Sequence, residues 1–441
     1  MSDQHTPEQA TEVETTAVQA QPLQEAESRL QPIKWKFPIT YALLALLSLS
    51  AFTFLSPTGA VTQFRLATAS DFVTLPAVNI PSFAGALVLS LLQLGLAALA
   101  IYCAARRIKL GVWLPMLFGL FFVLAFLIYA GAGRGAFIPV VTLLAGALML
   151  SVPLIFGAMC GLVGERSGII NIAIEGQLLA GAFLAAVAAS FFTSAYVGLL
   201  AAPFAGAAVG GLLVWFAVKY HVNQIIVGVV LNVLVIGLTS FLYSTVLTQN
   251  SEMWNARQQL PRLPIPGLSQ IPIIGPVLFN QTILVYLMYV IVFALHILVF
   301  KSRWGLRMRA VGEHPKAADT VGINVARTRI FNTVLAGGIA GLGGAYFTVG
   351  QGLAFGQEMS AGQGFIALAA MILGRWNPKG ALLAALLFGF SSSVGQVLST
   401  IGTPVPSEML LMLPYVITIF AVAGFVGRVR PPAAEGVPYI K

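Results

Sequence analysis

Apolar residues run along this chain in blocks of about 20, separated by short polar breaks. A helix of that length crosses the hydrocarbon core of a bilayer. Candidate spans fall near 38–56, 83–103, 112–132, 138–161, 168–191, 195–217, 224–246, 282–300, 330–349, 364–374, 380–398 and 410–427. The block at 364–374 is too short to cross alone, so it either re-enters the membrane or extends through the following turn. The pattern predicts an all-α fold: a polytopic transmembrane helical bundle of about 10–12 spans.

Composition agrees with that pattern. The chain is 58% hydrophobic and 9% charged, with a mean hydropathy of +0.88, against roughly 25% charged residues in a soluble domain. The net charge of +9 is carried in short loops beside apolar spans, where topology accounts for it and no nucleic acid is implied. Cys103 and Cys160 fall in or beside spans, and His5, His221, His296 and His314 are scattered, so no disulfide framework or metal site is expected.

Residues 1–33 are acidic and poor in apolar side chains, and are expected to be a disordered cytoplasmic tail. They lack a basic n-region and cleavage site, so the first span is expected to be retained. Lys and Arg recur in alternate loops: Arg29, Lys34 and Lys36, then Arg106, Arg107 and Lys109, Arg166, Lys219, Lys301 onward, Arg375 and Lys379, and Arg428 and Arg430. By the positive-inside rule both termini face the cytoplasm. Arg65, Arg134, Arg257 and Arg262 are exceptions on the outer side. The expected division is N-terminal transmembrane helices over 34–135, a core domain over 136–430 and a cytoplasmic tail over 431–441.

The most charged loop, 301–329, reads KSRWGLRMRAVGEHPKAADTVGINVARTR. Pro315 suits the first position of a helix, Lys316 to Val321 can form a short one, and Gly322 can end it in a left-handed cap. A short cytoplasmic helix is what a partner protein would push on; an ordinary topogenic loop is the alternative. Outside, the proline-rich loop 247–281 reads as ordered but not regularly helical, either a docking surface or a stiff connector. Gly337, Gly341 and Ala345 share a helix stripe that lets neighbouring helices approach closely.

Polar residues inside the membrane region concentrate at 161–181, GLVGERSGIINIAIEGQLLAG. Asn171 and Glu175, four apart, would share a helix face, with Gln177 on a neighbouring one. A carboxylate at a helix centre costs about 2.5–3.5 kcal/mol on insertion scales, so Glu175 requires an explanation. One is a polar path or hinge in a broken helix. The other is a structural hydrogen bond or an ion pair, with Arg166 as a partner, near the inner interface. Asn232 is a further polar candidate, or a residue that ties two helices together. The chain contains no GxxxxGK[ST] phosphate loop, HExxH or GxSxG, so neither ATP binding by that loop nor hydrolase chemistry is expected.

Three segments carry a family likeness: GERSGIINIAIEGQ (164–177), GLRMRAVGEHPKAADTVGI (305–323) and GFIALAAMILGRWNPKGALLAALLFG (364–389). The sequence resembles permease subunits of bacterial ABC importers in the branched-chain amino acid and simple-sugar group. Within it, the chain is most similar to nucleoside permeases served by a basic-membrane-protein lipoprotein. The likeness spans about residues 138–428. It implies a non-enzymatic transport subunit in the bacterial inner membrane, working with a cytoplasmic ABC ATPase, a second permease subunit, an external substrate-binding lipoprotein and membrane lipid. ATP would be used by the partner, with no cofactor on this chain. The likeness places the coupling helix within 305–323, so Gly312, Glu313, Pro315, Lys316, Ala317, Ala318, Asp319 and Gly322 are candidate ATPase contacts. It also places 164–177 near the translocation pathway. The solute implied is a nucleoside, with a sugar or branched-chain amino acid as alternatives. An ion-coupled secondary carrier is the competing class, and would need inverted repeats and midplane ion ligands. A lipid-modifying enzyme would need paired acids, for which only Glu165 and Glu175 are candidates.

Overall fold

The computed structural model describes residues 35–67, 75–108, 111, 113–135, 137–403, 405–415 and 430–440. The acidic tail 1–33 and the span expected at 410–427, from residue 416 onward, lie outside the described residues. Three helices come first: α1 (Lys36–Leu47), extended by a π-helical turn over Ser48–Thr53, α2 (Ser82–Ala105) and α3 (Trp113–Ala130). A small sheet joins them on one side. In it β1 (Val61–Arg65) pairs antiparallel with β2 (Val78–Pro81) and parallel with β3 (Phe137–Pro139).

The larger body follows: α4 (Val140–Arg166), α5 (Ile174–Phe191), α6 (Ala195–Lys219) and α7 (Gln224–Leu242). The outer loop holds α8 (Ser251–Trp254), β4 (Arg262–Pro264) and β5 (Asn280–Thr282). Then come α9 (Ile283–Lys301), α10 (Arg303–Glu313), α11 (Pro315–Thr320), α12 (Val325–Ala345), α13 (Gln363–Leu373), α14 (Pro378–Ile401) and α15 (Ser407–Leu411). Among the described residues ten helices are long and apolar enough to cross a membrane, and α13 is shorter.

The main core lies among α4, α5, α6, α12, α13 and α14, around Phe156, Leu162, Leu178 and Phe388. It depends on close backbone approach. A Cβ on Gly206 would run into the Gly337 carbonyl, and one on Gly341 into that of Ala202. The glycine stripe of α12 therefore packs on α6, as its spacing predicted. The first three helices have a separate small core of Tyr41, Ala45, Ala97, Ala100, Leu114 and Phe118. A buried polar knot pins α1 to α2: Ser48 Oγ lies 2.9 Å from Ser90 Oγ and accepts from Gln93 Nε2 at 3.1 Å.

Candidate functional site

α4 continues helically to Arg166, and the chain then turns back without helix until Ile174. Gly168 permits that reversal, with φ +89°. Asn171 therefore lies before α5, not on it, and the expected shared face of Asn171 and Glu175 does not form. Residues 167–173 are not helical, so helical spacing does not relate Asn171 to Glu175.

Asn171 and Gln177 instead exchange hydrogen bonds, Asn171 Nδ2 to Gln177 Oε1 at 3.1 Å and Gln177 Nε2 to Asn171 Oδ1 at 3.3 Å. Cys160 of α4 joins them, donating Sγ to Gln177 Oε1 and accepting from Asn171 Nδ2, each at 3.1 Å. Asn232 of α7 holds the same turn from the other side. Its Nδ2 donates to Ile172 O at 2.9 Å and its Oδ1 accepts from Gly176 N at 2.8 Å. Asn232 thus does the tying work weighed from sequence. It sits eight residues into α7, so α5 begins roughly 12 Å in from that helix end.

Glu175 points the other way, to the start of α13. Its Oε1 accepts from Ser360 Oγ at 2.5 Å and Gly362 N at 2.9 Å, and its Oε2 from Gly364 N at 2.6 Å. Glu175 is 5% exposed. The positive ends of two helices, α5 and α13, meet at it, which compensates a buried negative charge. Gly364 is required because a Cβ there would run into the Glu175 backbone. Arg166 is not the partner of Glu175. Its Nε and Nη2 donate to Trp376 O at 3.0 and 2.8 Å, while Trp376 Nε1 donates to Glu165 Oε2 at 2.6 Å. The α4–α5 turn is so locked to the α13–α14 turn, where Arg375 and Trp376 take positive φ. At 11 residues α13 spans about 16 Å, half a bilayer core.

The basic loop folds as two helices. The helix expected after Pro315 is α11, ended by Gly322 at φ +83°. α10 was not foreseen, although its signals are present: Ser302 Oγ accepts from Gly305 N at 3.0 Å, and Gly305, Met308 and Val311 bury one face. Gly312 and Ala318 are buried, Pro315 and Asp319 half-buried, and Glu313, Lys316, Ala317 and Gly322 exposed. Leu306 and Val321 are exposed apolar residues on the same loop, at 62% and 74%.

Residues 430–440 pack behind this loop, a contact invisible in the sequence. Ala434 N donates to Gly312 O at 2.9 Å, Ala433 N to Glu313 Oε2 at 3.2 Å, and Gly436 N to Gly168 O at 3.2 Å. The buried guanidinium of Arg329 donates to Val437 O at 2.9 Å and Ala434 O at 3.4 Å. The C-terminal segment thus bridges the α10–α11 corner and the α4–α5 turn. Glu435 lies against Glu165. Burial pushes its carboxyl above the usual range, and a hydrogen bond with Glu165 offsets part of that.

The sequence family described as the permease component of branched-chain amino acid transport systems matches residues 143–422. The chain is 37% identical over 303 residues to the guanosine ABC transporter permease protein NupQ of Bacillus subtilis (strain 168), covering 67% of this chain and 95% of that protein. It is 40% identical over 308 residues to the nucleoside ABC transporter permease protein NupC of Lactococcus lactis, covering 68% and 96%. A putative glucose ABC transporter permease protein of Haloferax volcanii, TsgC13, is 30% identical over 251 residues, covering 56% and 74%. No solved structure matches the chain.

Proposed function

The chain belongs to the family of branched-chain amino acid transport system permease components, and from that premise we propose that it carries nucleosides inward across the cytoplasmic membrane. It is a multi-pass permease subunit of an ABC importer, a transport component and not an enzyme. The nucleoside assignment draws on the names of NupQ and NupC, each matched over nearly its whole length.

ATP is bound and split on a partner ATPase seated on the exposed α10–α11 corner, with Leu306, Lys316, Ala317 and Val321 at the contact. A second permease subunit completes the pathway, an external lipoprotein delivers the solute, and lipid covers exposed side chains such as Leu200, Phe204 and Phe293. Both termini lie in the cytoplasm.

The observation that carries the mechanism is the meeting of the α5 and α13 N-termini at Glu175, inside the membrane region. Broken helices of this kind build transport sites because they bring polar backbone to membrane depth only where protein buries it. Asn171, Gln177 and Asn232 hold the walls of that pathway. Movement of α11 reaches it as a rigid-body shift through α10, the C-terminal segment and the α4–α5 turn. In cells expressing the assembled importer, unlabelled nucleosides should compete with uptake of tritiated guanosine, and glucose and leucine should not. Competition by glucose or leucine alone would contradict the assignment. The likeness to TsgC13 makes glucose the sharper control.

A further inference from the structure

Between the π-helical turn that ends at Gly350 and the start of α13 at Gln363 the chain runs without helix. It is pinned on both sides of Glu358. The Phe355 backbone N–H donates to Asn255 Oδ1 at 2.7 Å, and the Phe355 carbonyl accepts from Asn255 Nδ2 at 3.0 Å. Gln357 Nε2 donates to Ser244 Oγ at 3.1 Å, and Ser360 Oγ donates to Glu175. The last two contacts fix the depth. At 1.5 Å per residue, Ser244 lies roughly 30 Å from the inner end of α7, while Asn232, which bonds the first turn of α5, lies roughly 12 Å from it. Glu358, between these contacts, therefore sits in the outer half of a hydrocarbon core about 30 Å thick. Gln357, Glu358 and Ala361 are exposed, and among the described residues the Glu358 carboxylate has no hydrogen-bond or ion-pair partner. Non-helical backbone and an exposed carboxylate at that depth are too costly to leave against lipid; they persist where they line water. Glu358 also holds a left-handed φ of 50°, which only glycine adopts without strain. A charged side chain kept in a strained position points to function.

We propose that Glu358 is a solute-recognition residue in the outer half of the translocation pathway, where its carboxylate accepts a pair of adjacent hydrogen-bond donors from an uncharged nucleoside. The assignment rests on the permease reading above and deepens it. An ionised carboxylate only accepts hydrogen bonds, and its two oxygens stand side by side, so it matches two neighbouring donors. The ribose diol and the N–H edge of guanine both present such a pair. A phosphorylated nucleotide would instead be repelled. Gln357 turns its amide nitrogen to Ser244, which leaves its Oε1 as a further acceptor next to Glu358. Phe183 and Tyr243, both half-buried, pack their rings against Phe355 at 5.2 and 6.2 Å and supply aromatic surface beside the same segment. Glu175 then has a defined purpose. It is saturated by Ser360, Gly362 and Gly364, so it anchors the inner end of the segment that presents Glu358.

The test uses the full importer, with its ATPase and binding protein, and tritiated nucleosides as probes. Glu358→Gly removes the carboxylate and relieves the left-handed strain, so the variant should assemble and melt no lower than wild type. Its rate of guanosine uptake, with the binding protein saturated, should fall about tenfold, the loss expected for a hydrogen bond to a charged group. Glu358→Asp keeps a carboxylate and should recover part of that rate. Two analogues identify the donors: inosine lacks the exocyclic amine of guanosine, and 2′,3′-dideoxyguanosine lacks the ribose diol. The analogue without the recognised pair should be carried equally by wild type and Glu358→Gly. Glu358→Cys should react with an impermeant thiol reagent applied from outside, against little background from the buried native Cys103 and Cys160. Normal guanosine uptake by Glu358→Gly, equal losses for all three nucleosides, or no labelling of Glu358→Cys from outside would each overturn the assignment while leaving nucleoside import intact. So would a Glu358→Gly chain that no longer binds the second permease subunit, which would make Glu358 a contact between subunits. A wild-type importer that carries glucose or leucine and no nucleoside would overturn the functional reading itself.

Discussion

The Glu175 carboxylate accepts the Gly364 backbone N–H at 2.6 Å, joining residues 189 positions apart. With Ser360 and Gly362 on its other oxygen, it is the cap of a helix that begins inside the membrane region. Glu175→Gln places an amide NH2 against donors and removes the charge that both helix ends favour. The expected cost is about 1–3 kcal/mol, read as a lower melting temperature of the purified permease, together with lower uptake. Ser360→Ala should cost less, about 0.5–1.5 kcal/mol. A Glu175→Gln protein that melts with wild type and transports normally would show that the cap is dispensable.

The α6–α12 contact should tolerate no added carbon. Gly206→Ala would push a methyl into the Gly337 carbonyl, and overpacking of this kind costs about 1–3 kcal/mol. Gly237→Ala on α7 has nothing within 4 Å of its new Cβ and should be neutral or slightly stabilising. Monodisperse yield and melting temperature separate the two. Equal behaviour would mean the helices can part at little cost.

The features legible in the sequence are those set by local forces. Span length is set by bilayer thickness, and the α11 helix by Pro315 and Gly322, so both could be read directly. The glycine stripe of α12 was readable because close packing needs small residues at a fixed spacing. Glu175 was recognisable as anomalous, but its partners Ser360, Gly362 and Gly364 lie far along the chain, and no periodicity links them. The Arg166 pairing was missed for a related reason: Trp376 offers a backbone carbonyl, which every residue has and no sequence marks. The C-terminal segment reads as a tail in the sequence because, Glu435 apart, it makes its hydrogen bonds to the body through its own backbone atoms.

Docking of that segment should depend on pH through Glu435. Its carboxyl is raised by burial in the docked state, so its own contribution to docking is fully present below the ordinary carboxylate value of about 4.3 and is lost as pH rises through the raised one, while the backbone hydrogen bonds remain. Glu165, Glu313, Arg166 and Arg329 face the same joint. Hydrogen-exchange protection of the Ala434 and Gly436 amides, corrected for intrinsic rates, should fall with rising pH. Glu435→Gln should flatten the dependence. A wild-type profile with no pH dependence would remove Glu435 from the joint.

Ala317 is exposed on α11. Ala317→Cys should crosslink to the partner ATPase in inside-out vesicles. Labelling of this cysteine by an impermeant reagent from the outer face of intact cells would reverse the topology.

ATP-driven nucleoside import through this chain can be measured in proteoliposomes. With the permease pair and ATPase reconstituted, binding protein and tritiated guanosine on the outer side, and ATP sealed inside, guanosine should accumulate. Accumulation should cease when a non-hydrolysable analogue replaces ATP. Accumulation driven by an ion gradient, with the ATPase left out, would make the chain an ion-coupled carrier and not an ABC permease.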